Sequence, residues 1–181
     1  MDDIVEKRLP AREDLGAMTE QSLRAALAGE SQAAEKYLVF AEQAEEEGFR
    51  NIARLFRAIS YAETRHARNH MRVLGDIGST AENLAVALSG EAFEIDEMYP
   101  AYAEVARLQA MSQAARSIRY AQRSEEDHRN MYASAREQAE AGGDIADQPV
   151  SVCVICGHTI IGDLPDKCIV CTAPKEYYRT F

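Results

Sequence analysis

"GEAFEIDEMYP", residues 90 to 100, has the apolar spacing of a helix, yet Glu91 and Glu94 fall where that helix should face a core. The same interruption recurs in three other helical segments. Taken at spacings of three and four, the first segment has the stripe Leu23, Leu27, Glu30, Ala34, Tyr37 and Ala41. The second has Ile52, Leu55, Ile59, Glu63, His66, His70 and Val73. The third runs Leu84, Leu88, Glu91, Glu94, Met98 and Tyr102, and the fourth Ile118, Ala121, Glu125, His128, Tyr132 and Ala135. Each stripe is apolar except near its middle, where Glu, or Glu and His, stand.

Stop and start signals bound these segments. The first spans roughly 19–47 and stops at Gly48; the second spans roughly 49–74 and stops at Gly75. The third opens at Ser79 with the capping box "STAE" and reaches roughly residue 108, with a kink expected at Pro100. The fourth runs from near Ser112 to Gly142-Gly143. "GE" recurs at 29–30 and 90–91, "ExxH" at Glu63–His66 and Glu125–His128, and Ala-Arg at 53–54 and 115–116. Two copies of one helical hairpin account for all three repeats.

Burying an unpaired carboxylate costs several kcal/mol. Keeping five of them neutral at pH 7 would require a large upward pKa shift in each. A pair of metal cations removes both difficulties, with carboxylates bridging and the two histidines as nitrogen ligands. A lone ExxH is usually solvated surface. The informative feature is the conjunction: a Glu from each of two helices and Glu-x-x-His from each of the other two, the arrangement of a di-iron or di-manganese carboxylate bundle. Glu94, one turn after Glu91, is a fifth carboxylate. His70 reads as a hydrogen-bonded or partly exposed histidine rather than a ligand.

Composition narrows the function. The 181 residues are 46% hydrophobic, enough for one core plus a small appendage. Thirty acidic against 20 basic residues give a formal charge of -10, which argues against nucleic acid and anionic membrane as partners. The charged start "MDDIVEKRLP" lacks an apolar signal core, and no run approaches a membrane span, so a cytoplasmic protein is expected.

The last 30 residues differ in kind. "GDIADQPV", 143–150, reads as a linker. After it come short β-branched runs, turn residues and all four cysteines, as Cys153-x2-Cys156 and Cys168-x2-Cys171. Four thiolates on two knuckles make a tetrahedral site for iron or zinc. Gly157 suits the first knuckle's turn, whereas Ile169 and Thr172 depart from the usual second-knuckle residues. The cysteines alone favour a structural zinc ribbon; attachment to a redox bundle, which needs an electron source, favours iron. His158 reads as a surface residue near the metal.

"AGESQAAEKY" at 28–37, "ETRH" at 63–66, "GEAFEIDEMYP" at 90–100 and "EEDH" at 125–128, followed by the two-CxxC tail, resemble rubrerythrin. The resemblance implies an all-α ferritin-like di-iron four-helix bundle with a small C-terminal rubredoxin-like β domain. The implied division is an N-terminal arm (1–18), the bundle (19–142), the linker (143–150) and the four-cysteine domain (151–181). It implies two irons held by Glu30, Glu63, His66, Glu91, Glu94, Glu125 and His128, and one iron held by Cys153, Cys156, Cys168 and Cys171, with zinc a possible substitute there. It further implies that one iron exchanges Glu94 for His66 on reduction. Tyr37 and Tyr99 match family tyrosines near the di-iron centre, although core packing would also account for them.

The activity so implied is reduction of hydrogen peroxide to water, with electrons entering through the four-cysteine iron from a reductase or rubredoxin. A short linker does not guarantee that the tail reaches the bundle of its own chain. Similar proteins solve this as head-to-tail dimers, some exchanging helices, so a homodimer is expected. The rival readings are a ferroxidase that sequesters iron and a non-enzymatic metal-binding or redox-sensing protein with zinc in its tail.

Overall fold

The computed structural model describes residues 9–181; the first eight residues of the expected N-terminal arm lie outside the described residues. Among the described residues, four long helical segments are followed by a small three-stranded tail, as the sequence leads one to expect. They form two compact units, divided between Gly78 and Ser79. No helix among the described residues is long and apolar enough to cross a membrane.

The first unit is an antiparallel helical hairpin of α1 (Ala17–Glu46) and α2 (Arg50–Leu74). The turn works because Gly48 adopts φ 86°, a left-handed conformation that Cβ-bearing residues resist. The helices meet through small side chains: Ala41 and Ala53 are fully buried, with Ala44 beside them and Phe56 packed against the cluster. Ser60 on α2 donates its hydroxyl to the Ala34 carbonyl on α1 at 2.8 Å, which fixes the register one turn from Glu63 and Glu30. Ile52, Leu55 and Ile59, on the expected apolar stripe of α2, are exposed.

The second unit holds α3 (Thr80–Phe93), a π-helical turn (Glu94–Met98), α4 (Tyr99–Leu108) and α5 (Ser112–Glu140). The capping box at the start of α3 is complete: Glu82 N–H donates to Ser79 Oγ at 3.3 Å, and Ser79 N–H donates to the Glu82 carboxylate at 2.7 Å.

The sequence suggested one helix kinked at Pro100; the break is instead a π turn just before it. Tyr99 N–H bonds to the Glu94 carbonyl, five residues back. Pro100 has no N–H to offer the Asp96 carbonyl, so the ladder changes register where it would otherwise lose a bond. The extra residue moves the apolar stripe on by one. Tyr102, expected inside, is 53% exposed, whereas Ala106 is buried.

The tail forms a sheet of order β2-β1-β3, from β1 (Val150–Cys153), β2 (Thr159–Ile161) and β3 (Tyr178–Thr180). Both pairings are antiparallel, with Ser151 opposite Ile160 and Thr180.

Candidate metal centres

Each unit gathers one Glu from one helix and Glu-x-x-His from its neighbour. In the first unit, ligand atoms of Glu30, Glu63 and His66 all lie within 4.8 Å of one another. His66 Nδ1 is 3.3 Å from Glu63 Oε2 and 3.7 Å from Glu30 Oε2. The two carboxyls share a hydrogen bond, which lowers the pKa of Glu30 and raises that of Glu63. His70, half-buried one turn further along α2, adds a favourable charge interaction with Glu30.

The second unit repeats the pattern with Glu91, Glu125 and His128, again within 4.8 Å. His128 Nδ1 lies 2.5 Å from Glu125 Oε2. Burial, then a hydrogen bond to Glu125, pushes Glu91 up to about 7. Glu94 stands outside this trio but is also raised, first by burial and then by the charge of Glu125.

Tyr99 is raised by burial and then by Glu94, Glu125 and Glu91, which places its hydroxyl in the field of the three carboxylates. Residues 94 and 99 would be roughly 140° apart round an ordinary α-helix. The π turn brings them nearer to one face. Tyr37 has a different setting: its ring contacts are with Phe40 and Phe56, at centroid distances of 6.3 and 6.1 Å.

Each trio thus brings two carboxyls and a histidine close together. That donor set suits a hard or borderline cation such as iron or manganese.

The tail brings together the four cysteines, again within 4.8 Å. Cys153 Sγ is 3.6 Å from Cys171 Sγ, and Cys156 Sγ is 3.5 Å from Cys168 Sγ. A tetrahedral metal with bonds of about 2.3 Å to sulfur sets its ligands roughly 3.7 Å apart, so the cage fits iron or zinc. The knuckles turn at Gly157 and Thr172, with φ 82° and 64°. Threonine is thus held in the left-handed region where the family pattern favours a smaller residue. Burial raises the Cys168 thiol, but hydrogen bonds from Tyr178 and from the backbone at Cys171 and Val170 outweigh it and bring it to about 6. Such donors stabilise thiolate, the form that binds metal.

Sequence reasoning missed how the tail is attached. Within the second unit it docks on α5 of its own chain. Ser124 Oγ lies 3.1 Å from the Cys156 carbonyl, and Tyr120 packs on the cysteine cluster. His128 Nε2 lies 2.8 Å from Thr159 Oγ1. His158, expected at the surface, is only 2% exposed: Nε2 is 3.3 Å from Asp127 Oδ2, and Nδ1 is 2.7 Å from the Tyr178 hydroxyl. These contacts depend on tertiary docking. Their sequence trace is slight: Asp127 lies within the ExxH motif and Ser124 just before it.

The family model described as Rubrerythrin matches residues 21–136. Rubrerythrin-2 of Clostridium acetobutylicum is 37% identical over 179 residues, covering 91% of this chain and 97% of that protein. Nigerythrin of Nitratidesulfovibrio vulgaris is 30% identical and covers 90% and 86%. A solved structure of nigerythrin in its fully reduced, all-ferrous state is similar with a TM-score of 0.54 at 30% identity, covering 94% of this chain and 90% of that one.

Proposed function

The chain belongs to the rubrerythrin family, and from that premise we propose that it reduces hydrogen peroxide to water in oxidative-stress defence. Rubrerythrins are generally di-iron proteins of oxidative stress, and members are oxidoreductases. The observation that carries the reading is the docking of the four-cysteine cage on α5, where Ser124, hydrogen-bonded to Cys156, immediately precedes Glu125. An iron-storage site has no need of a thiolate cage there; a site that must receive electrons does.

In this reading Glu30, Glu63, His66, Glu91, Glu94, Glu125 and His128 hold two irons, and the four cysteines hold a third, with zinc a possible substitute in the cage. When bound, the irons supply Lewis acidity and electrons to the peroxide O–O bond. The carboxylates set the spacing and charge of the pair. Glu94 and Tyr99, on one face through the π turn, are the groups placed to hold or pass protons. His66 is more than half exposed and has room to change its contact with the metal. Electrons enter the tail from an external reductase or rubredoxin, whose basic patch the acidic surface attracts. The proposed compartment is the cytoplasm, whose reducing conditions keep cysteines as free thiols for metal binding.

The proposed assembly is a homodimer, as the family resemblance implies. Native mass spectrometry of the metal-loaded protein tests this: a dimer is expected, and a monomer retaining both carboxylate-bound irons would contradict it.

The activity test is to give the reduced, iron-loaded protein hydrogen peroxide or oxygen and follow oxidant consumption and iron uptake. Fast peroxide consumption at constant iron content supports the peroxidase. Oxygen consumption with progressive accumulation of Fe(III) would establish a ferroxidase instead.

A further inference from the structure

The two ExxH histidines have different surroundings. The contacts of His66 with Glu63 and Glu30 both run through Nδ1, and its side chain is 54% exposed. His128 is engaged at both nitrogens, Nδ1 with Glu125 and Nε2 with Thr159. Thr159 belongs to β2 of the four-cysteine domain, not to the helices.

One arrangement of protons makes both Thr159 contacts hydrogen bonds at once. Thr159 Oγ1 is 3.0 Å from the Gly157 carbonyl, which can only accept. With its one hydrogen donated there, the hydroxyl accepts from His128, and Nε2 carries N–H. In the neutral ring, Nδ1 is left with its lone pair directed at Glu125, in the group that also contains Glu91. Two acceptors 2.5 Å apart repel unless a cation, proton or metal, lies between them. The arrangement therefore presets His128 to bind a cation through Nδ1.

We propose that Thr159 is a positioning residue for His128: the tail domain orients this ligand, so that metal binding by Glu91, Glu125 and His128 depends on the tail being folded and docked. The inference rests on the di-iron reading above and adds an asymmetry to it. The trio on α3 and α5 is locked by an outer hydrogen bond, whereas His66 is not. Outer-shell partners of ligating histidines typically matter by 10–100-fold in metal affinity. Because coupling is reciprocal, metal in the carboxylate site should also tighten tail docking.

The test uses the full chain with its four-cysteine site loaded, comparing Thr159→Val and Thr159→Ser with the unsubstituted protein. Valine keeps the shape and removes the hydroxyl; serine keeps the hydroxyl. Two readouts are taken: the His128 tautomer by ¹⁵N NMR at pH 8, with the tail carrying zinc and the carboxylates empty, and Co(II) binding to the carboxylate sites by calorimetry. The expected result is the Nε2–H tautomer in the unsubstituted protein and Thr159→Ser, but mixed tautomers in Thr159→Val. One of two Co(II) sites should weaken by about 10–100-fold in Thr159→Val alone. An unchanged tautomer and unchanged affinity in Thr159→Val, with tail metal retained, would overturn the proposal. If Co(II) does not bind the unsubstituted carboxylates, the di-iron reading fails, and the tautomer still decides the role of Thr159.

Discussion

Ser124 on α5, 2% exposed, shares its hydroxyl hydrogen between the Cys156 carbonyl at 3.1 Å and the Tyr120 carbonyl at 3.0 Å. The helix carrying Glu125 and His128 is thereby tied directly to the knuckle carrying Cys153 and Cys156. Ser124→Ala leaves that carbonyl short of a partner, at a cost of about 1–3 kcal/mol. The tail iron colour should be lost at lower denaturant concentration than in the unsubstituted protein, while the far-UV helix transition stays nearly unchanged.

Glu91 gives the metal-free protein a pH dependence of known sign. Its pKa is about 7 when folded, against 4.5 for an ordinary carboxyl. Between those values the native state binds more protons than the unfolded state, so stability falls as pH rises through the window. Denaturation of metal-free protein at pH 5 and pH 7.5 should show the lower midpoint at pH 7.5. Glu91→Gln, always neutral, should flatten the difference.

Tyr178 hydrogen-bonds to Cys168 and lowers the pKa of its thiol. Donors to sulfur favour the reduced, more negative cage. Tyr178→Phe should therefore lower the reduction potential of the tail iron, as read by spectroelectrochemistry, without changing its metal content.

The capping box at Ser79 satisfies two backbone groups where the second unit begins. Ser79→Ala should cost about 1 kcal/mol, measured by chemical denaturation. Metal binding by Glu91 and Glu125, further along the chain, should be unaffected.

The helices and the ligand-type residues were legible because each leaves a local mark. Glu91 and Glu94 break an apolar stripe; Gly48 and Gly75 stand where helices stop; Ser79 and Glu82 have the spacing of a cap. The π turn was not legible. Pro100 signals a lost hydrogen bond, but periodicity cannot tell a kink from a one-residue register change, so the stripe predicts Tyr102 inside and does not decide between core packing and a site role for Tyr99. The docking of the tail left even less trace. Thr159 and Ser124 are ordinary residues whose roles arise only when β2 and the first knuckle meet α5. His158 looked superficial for the same reason: its burial comes from Asp127, 31 residues earlier in the chain.

The central claim is that electrons pass from the cysteine-bound iron to peroxide through the carboxylate centre. The most direct test mixes the fully reduced, iron-loaded protein with limiting hydrogen peroxide in a stopped-flow instrument and follows the visible absorption of the oxidised tail iron. The account predicts rapid return of that colour with peroxide, much slower return with oxygen, and no rapid phase in Glu125→Ala. A tail iron that stays reduced while peroxide is consumed, or that reoxidises equally fast in Glu125→Ala, would contradict it.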